Sequence, residues 1–113
     1  MKHNIVLLLC AALLGGCAST PQMYQWESYQ PQVYEYFKGD GKGPEAQISK
    51  LEEGLQKIQA KGKTPPPGYH AHLGLLYARL GKSEPLVQHF QAEKTLFPES
   101  TAYMDFLLKK YAK

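Results

Sequence analysis

The chain has 113 residues, of which 43% are hydrophobic and 20% charged, with 13 Lys+Arg against 10 Asp+Glu for a formal net charge of +3. That length accommodates one small domain and not two. So slight a basic excess argues against nucleic acid as a partner.

The first sixteen residues, MKHNIVLLLCAALLGG, carry one lysine and one histidine, then an apolar run from Ile5 to Leu14, then two glycines. This pattern predicts a secretory signal peptide, too short to span a bilayer as a stable helix. Leu14, Gly15, Gly16 and Cys17 resemble a bacterial lipobox. The resemblance implies that the Cys17 thiol takes a diacylglycerol, that the chain is cut before it, and that the new amine is acylated. Several acyl chains on one residue anchor stably where one is marginal, each buried methylene being worth about 0.8 kcal/mol. Alanine at position 18, in place of aspartate, resembles lipoproteins that Gram-negative bacteria sort to the outer membrane, and implies its periplasmic face. The expected organisation is a signal peptide over 1–16, a lipidated tether over 17–23 and a helical domain over 24–113. Cleavage removes Cys10 and lipidation consumes Cys17, so no disulfide, zinc thiolate site or cysteine nucleophile is expected in the mature chain. Loss of Lys2 lowers its balance from +3 to +2.

The tether, Ala18 to Gln22, reaches at most ~17 Å when fully extended. YQWESYQPQVYEYFKG, from Tyr24 to Gly39, follows with six of the chain's aromatic residues. Pro31 suits a first helical turn, Val33, Tyr36 and Phe37 follow at helical spacing, and Gly39 can end the helix. These rings either bury against later helices to enlarge a small core or form a membrane-interface or partner surface. GDGKGP, Gly39 to Pro44, lacks the strand before and the Lys-Ser/Thr after that a phosphate cradle needs, and reads as a loop. Glu45 to Ala60 places Ile48, Leu51, Leu55 and Ile58 on one face of an amphipathic helix. The three prolines of KGKTPPPG, Lys61 to Gly68, break it.

In HAHLGLLYARLG, Leu73, Leu76, Tyr77 and Leu80 repeat at helical spacing and Gly81 closes the helix. Ser83 is the expected N-cap of the next helix, which carries Leu86, Val87, Phe90 and Phe97 and stops at Pro98. A last helix from about Ser100 carries Tyr103, Met104, Phe106, Leu107 and Tyr111. The lysines at its finish complement the helix dipole. With no convincing strand, the expected fold is an all-α array of about five helices.

Leu73, Gly74 and Tyr77 resemble the Leu-Gly-x-x-Tyr of the first helix of a tetratricopeptide repeat, whose period is about 34 residues. Phe90 falls at the aromatic of the second helix, Pro98 at the end of the unit, and Tyr111 one period after Tyr77. Gly74 would let the second helix lie tight against the first. His70 stands where the repeat usually has tryptophan, and Leu86 and Glu93 where its second helix usually has alanines. On a wider scale, the YxW and VYEYFKG segments, PEAQISKLE, PPGYHAHLGLLYARLG, FQAEKTLFPES and MDFLL resemble a family of small proteobacterial lipoproteins of unknown function. Members are often encoded beside a lipoprotein resembling the curli secretion channel, which implies a shared envelope complex.

The histidines invite a metal reading and fail it. His70 and His72 diverge by roughly 200° on a helix, and no HExxH or i, i+4 pair exists. No carboxylate pair or nucleophile elbow marks a hydrolase, so neither a catalytic residue nor a cofactor is expected. In the repeat register His70 sits between helices, while Ala71, His72, Leu75, Ala78 and Arg79 face the groove where such repeats bind peptides. With Tyr24, Trp26 and Tyr34 they are the candidate partner-binding residues. The alternative is a groove covered by the chain's own aromatic segment. The expected function is a non-enzymatic, lipid-anchored adaptor for an envelope complex. The alternative is a lipoprotein that binds a small ligand or peptidoglycan.

Overall fold

A computed structural model describes residues 2–5, 22–39 and 43–112 of the chain. The lipidation expected at Cys17 and most of the signal peptide lie outside the described residues. Among them are helices α1 (Tyr29–Lys38), α2 (Pro44–Ala60), α3 (Tyr69–Arg79), α4 (Ser83–Leu96) and α5 (Thr101–Tyr111). A single 3-10 turn, Pro98–Ser100, joins the last two, and no described residue is in a strand. The short all-α array expected from the sequence is the fold observed. Among the described residues no helix is long and apolar enough to cross a membrane.

Glycine and proline set the boundaries. Pro44 opens α2 at its first position, where the missing N–H costs nothing. Helices α2 and α3 both end in a Schellman closure around a left-handed glycine, Gly62 at φ 62° and Gly81 at φ 68°. The amide of Lys63 donates to the Ile58 carbonyl at 3.1 Å, and that of Lys82 to the Tyr77 carbonyl at 3.0 Å. The second closure corrects one expectation. It leaves only Leu80, Gly81 and Lys82 between the helices, so Lys82 takes the N-cap position and Ser83 becomes the first helical residue, with no side-chain cap among the described residues.

Helix α3 is the centre of the array. One face joins Ile48, Leu51, Leu55 and Ile58 of α2 through Tyr69, Leu73 and Leu76. The other joins Leu86 and Phe90 of α4 and Met104 and Leu107 of α5 through Ala71, with Leu75 and Ala78 packed alongside. A helix covered on two sides must be apolar nearly all round, and Tyr69 to Gly74 are buried without interruption. Gly74 is the contact that lets α3 and α4 close. A Cβ there would overlap the Phe90 ring, whose side chain is fully buried. The close approach expected from the repeat pattern is therefore present, and Phe90 is the residue that uses it.

Candidate functional site

The stripe expected to line a groove is divided between two neighbours. Ala71, Leu75 and Ala78 belong to the core shared with α4 and α5. His72 lies under α1, its ring meeting those of Tyr36 and Tyr29 edge-on at 5.0 and 6.4 Å between centroids. The Arg79 guanidinium sits 4.5 Å from the centre of the Tyr36 ring, a cation–π contact. The chain's own aromatic segment thus covers His72 and lies against one side of Arg79. Ala71 and His72 are buried, and Arg79 remains exposed.

The six aromatics divide in the same way. Tyr24 packs edge-on against Phe97 at 5.9 Å, Trp26 lies 6.0 Å from Tyr29, and Tyr29 stacks on Tyr69 at 5.2 Å. Polar bonds strap this segment down: the Gln25 amide donates to the Thr64 carbonyl at 3.0 Å, Ser28 Oγ to the Lys50 carbonyl at 3.1 Å, and Lys61 pairs with Glu27 at 3.1 Å. Tyr24 and Trp26 are therefore partly buried members of the fold. Tyr34 and Phe37 point the other way and are 65% and 79% exposed.

Beneath this surface a polar chain runs from the buried His70 and His89 to the partly buried Glu52 and Tyr77. His70 Nδ1 lies 3.0 Å from His89 Nδ1, and His89 Nε2 is 2.9 Å from Glu52 Oε1, which also accepts from the Tyr77 hydroxyl at 2.9 Å. The hydrogen bond from His89, with a smaller one from Tyr77, holds the Glu52 carboxyl below its ordinary range despite partial burial. An ionised Glu52 requires the proton of His89 at Nε2, and in the neutral ring Nδ1 then accepts from His70. Burial, with the nearby His89, lowers His70 to about 4 and keeps it neutral at pH 7. The Tyr77 ring stacks on His89 at 5.5 Å and 12°. Both nitrogens of His89 are engaged in opposite directions, so the chain orients helices rather than converging on one point. Among the described residues no three His, Cys, Asp or Glu side chains gather to hold a metal.

Glu93 is 2% exposed and is bonded across the helix pair. Its Oε1 accepts the Gly68 amide at 2.7 Å and its Oε2 the Ala71 amide at 3.3 Å. A carboxylate from α4 thus caps the N-terminus of α3, where amides are left without helical partners. Burial raises its carboxyl pKa, and the backbone donors oppose that rise.

Spacing alone did not reveal the His70–His89 pair, the Glu52 link or the Glu93 cap. The signal was present as departures from the repeat: polar residues at two positions that the register buries, His70 and Glu93, which must find partners.

One open cleft of about 310 Å³ lies where the end of α1, the start of α2 and the end of α3 meet, lined by Glu35, Tyr36, Gln47 and Arg79. Gln47 is 4% exposed, and its buried Oε1 has no hydrogen-bond partner among the described residues. The rim therefore carries an acid, a guanidinium and an aromatic ring, with the buried Gln47 beneath them.

Residues 23–107 match the model of a family described as a domain of unknown function, DUF4810. No curated protein and no solved structure matches the chain.

Proposed function

We propose, from the premise that the chain belongs to the DUF4810 family, that it is a non-enzymatic adaptor of the bacterial envelope. Acyl chains on Cys17 hold it at the periplasmic face of the outer membrane, and the helical array supports assembly or stability of a protein complex there. Its partners are other envelope lipoproteins, one resembling the curli secretion channel. The observation that carries this reading is the pair Tyr34 and Phe37, which α1 presents to solvent at 65% and 79% exposure on a helix whose other face is pinned to the core. Exposed aromatics on a rigid element make anchors for a partner at little entropic cost. The bonds of Glu93, His70 and His89 support it too, since they are committed to holding helices together.

The test is co-purification from solubilised envelopes. The native chain should bring down a defined envelope protein, and a variant with Tyr34→Glu and Phe37→Glu should lose it while folding normally. Equal recovery with both chains would contradict the assignment of this surface. Cys17→Ala should release the full-length chain from the membrane fraction, and retention would contradict the proposed anchor.

The cleft between α1, α2 and Arg79 favours a second reading, a lipoprotein that binds a small ligand or peptidoglycan. The guanidinium of Arg79 and the Tyr36 ring suit a small molecule with a carboxylate and an apolar face. Calorimetry with soluble muropeptides separates the two. Heat that Arg79→Ala abolishes supports the ligand reading, and its absence leaves the adaptor.

A further inference from the structure

Helix α5 buries Met104 and Leu107 against α4, leaving them 1% and 4% exposed. A face beside the buried one carries a different set: Tyr103, Phe106 and Lys110 recur at intervals of three and four residues, and Glu99, in the 3-10 turn that leads into α5, lies four residues before Tyr103, which places them along one stripe. Tyr103 and Phe106 are each 58% exposed, and their rings lie nearly parallel, 6.5 Å apart at 14°. Glu99 and Lys110 are exposed at the two ends of the stripe. Asp105 is not part of it, because it is bound to Lys94 of α4 at 2.5 Å.

The stripe is self-complementary. Its order is acid, aromatic, aromatic, base, and both the aromatic pair and the charged pair are centred on the point midway between residues 103 and 106. A two-fold rotation about that point, perpendicular to the helix, brings Tyr103 against Phe106 of a second copy. The same rotation brings Glu99 against Lys110 of that copy. A parallel arrangement would instead set acid beside acid and base beside base. We propose that α5 is a homodimer interface, formed by antiparallel packing of this stripe on the same stripe of a second copy. Such an isologous contact closes on itself and leaves the Tyr34–Phe37 surface of α1 free. One helical face falls short of the ~800 Å² per partner of a standard interface, so the dimer is a weak one that charge pairing aligns.

The experiment uses two differently tagged full-length copies produced in one cell, one with Tyr103→Cys and the other with Phe106→Cys, followed by mild oxidation. The expected product is a disulfide-linked heterodimer that parent chains without the added cysteines do not give. Glu99→Lys or Lys110→Glu, introduced in both copies, should lower the yield about fivefold or more, since like charges then face each other. Combining the two changes should restore it, because the rotated stripe again pairs opposite charges. Because the substituted positions are exposed, thermal unfolding of each variant should match the parent. The proposal is overturned if position 103 or 106 links to a different protein in place of the second copy. It is equally overturned if the yield ignores the single charge changes, or if the combined change is no better than either alone.

Discussion

Glu93 accepts the backbone amide of Gly68 at 2.7 Å across 25 residues of chain, so the second helix of the pair carries the cap of the first. The same carboxylate takes the Ala71 amide at 3.3 Å. The buried Ala71 amide would not regain water if the acceptor were removed, whereas the partly buried Gly68 amide would regain it in part. Glu93→Ala should therefore cost about 2–4 kcal/mol, combining a lost cap with an unsatisfied buried donor. Glu93→Gln keeps one acceptor and should cost less. Urea unfolding of the two variants checks this, and midpoints equal to the parent would remove Glu93 from its role.

A methyl group at position 74 has nowhere to go. The Phe90 ring occupies its place, and the ring is fully enclosed. Gly74→Ala should destabilise by about 1–3 kcal/mol despite alanine's better helix propensity, and Gly74→Leu by more. Adding Phe90→Leu to Gly74→Ala should cost less than Phe90→Leu does alone, because the new methyl fills space the ring vacated. Thermal unfolding of the four chains measures the coupling.

Stability should rise with pH across the acid range. His70 and His72 are each lowered to about 4 from 6.5, mainly by burial. Between those values the unfolded chain binds more protons than the folded one, so their contribution is complete above the unfolded value and lost as pH falls through the folded one. Glu93 acts in the opposite sense: burial raises its carboxyl, and the stability it contributes at low pH is lost as pH rises through its folded value. Each histidine contributes a slope on the order of 1 kcal/mol per pH unit between about 4 and 6.5. His72→Phe removes one of the two proton uptakes, keeps an aromatic ring under Tyr36, and eliminates the buried Nε2 that has no partner. Its unfolding free energy should vary less steeply between pH 4 and 6.5, and a slope equal to the parent's would contradict the assignment.

The hydroxyl of Tyr69 donates to the Leu51 carbonyl at 2.6 Å by passing over Gly54. A Cβ on Gly54 would come within 2.6 Å of that oxygen and 3.3 Å of Ser28 Oγ. Tyr69→Phe should cost about 1 kcal/mol, and Gly54→Ala a similar or larger amount. In the double variant the clash disappears with the hydroxyl, so the two effects should sum to less than their parts. A double-mutant cycle by urea unfolding decides it.

The elements were legible because their punctuation is local. Gly39, Pro44, Gly81 and Pro98 bound helices within a residue or two of where the periodicity ends. Gly74 was legible as a close approach because the repeat pattern places a glycine where the second helix lies tight against the first, but the pattern did not single out Phe90 as the residue in contact. The faces of α3 were harder to read. Helical spacing picked out Leu73, Leu76 and Leu80 as one buried side, but Ala71, Leu75 and Ala78 gave no sign that α4 and α5 would occupy the other. The polar interior was illegible for a different reason: Glu52, His70 and His89 lie on three helices, and no local rule links them. The division of the aromatic segment depended on the roll of α1, which turns Tyr29 and Tyr36 inward and leaves Tyr34 and Phe37 outside.

The most direct measurement is photo-crosslinking in intact cells, with a photoreactive amino acid in place of Tyr34 in the full-length chain and mass spectrometry of the adducts. One reproducible envelope protein should be trapped at Tyr34, and none when the photoreactive group is moved to the buried Tyr69. Trapping only glycan, or no protein above the Tyr69 control, would contradict the adaptor reading.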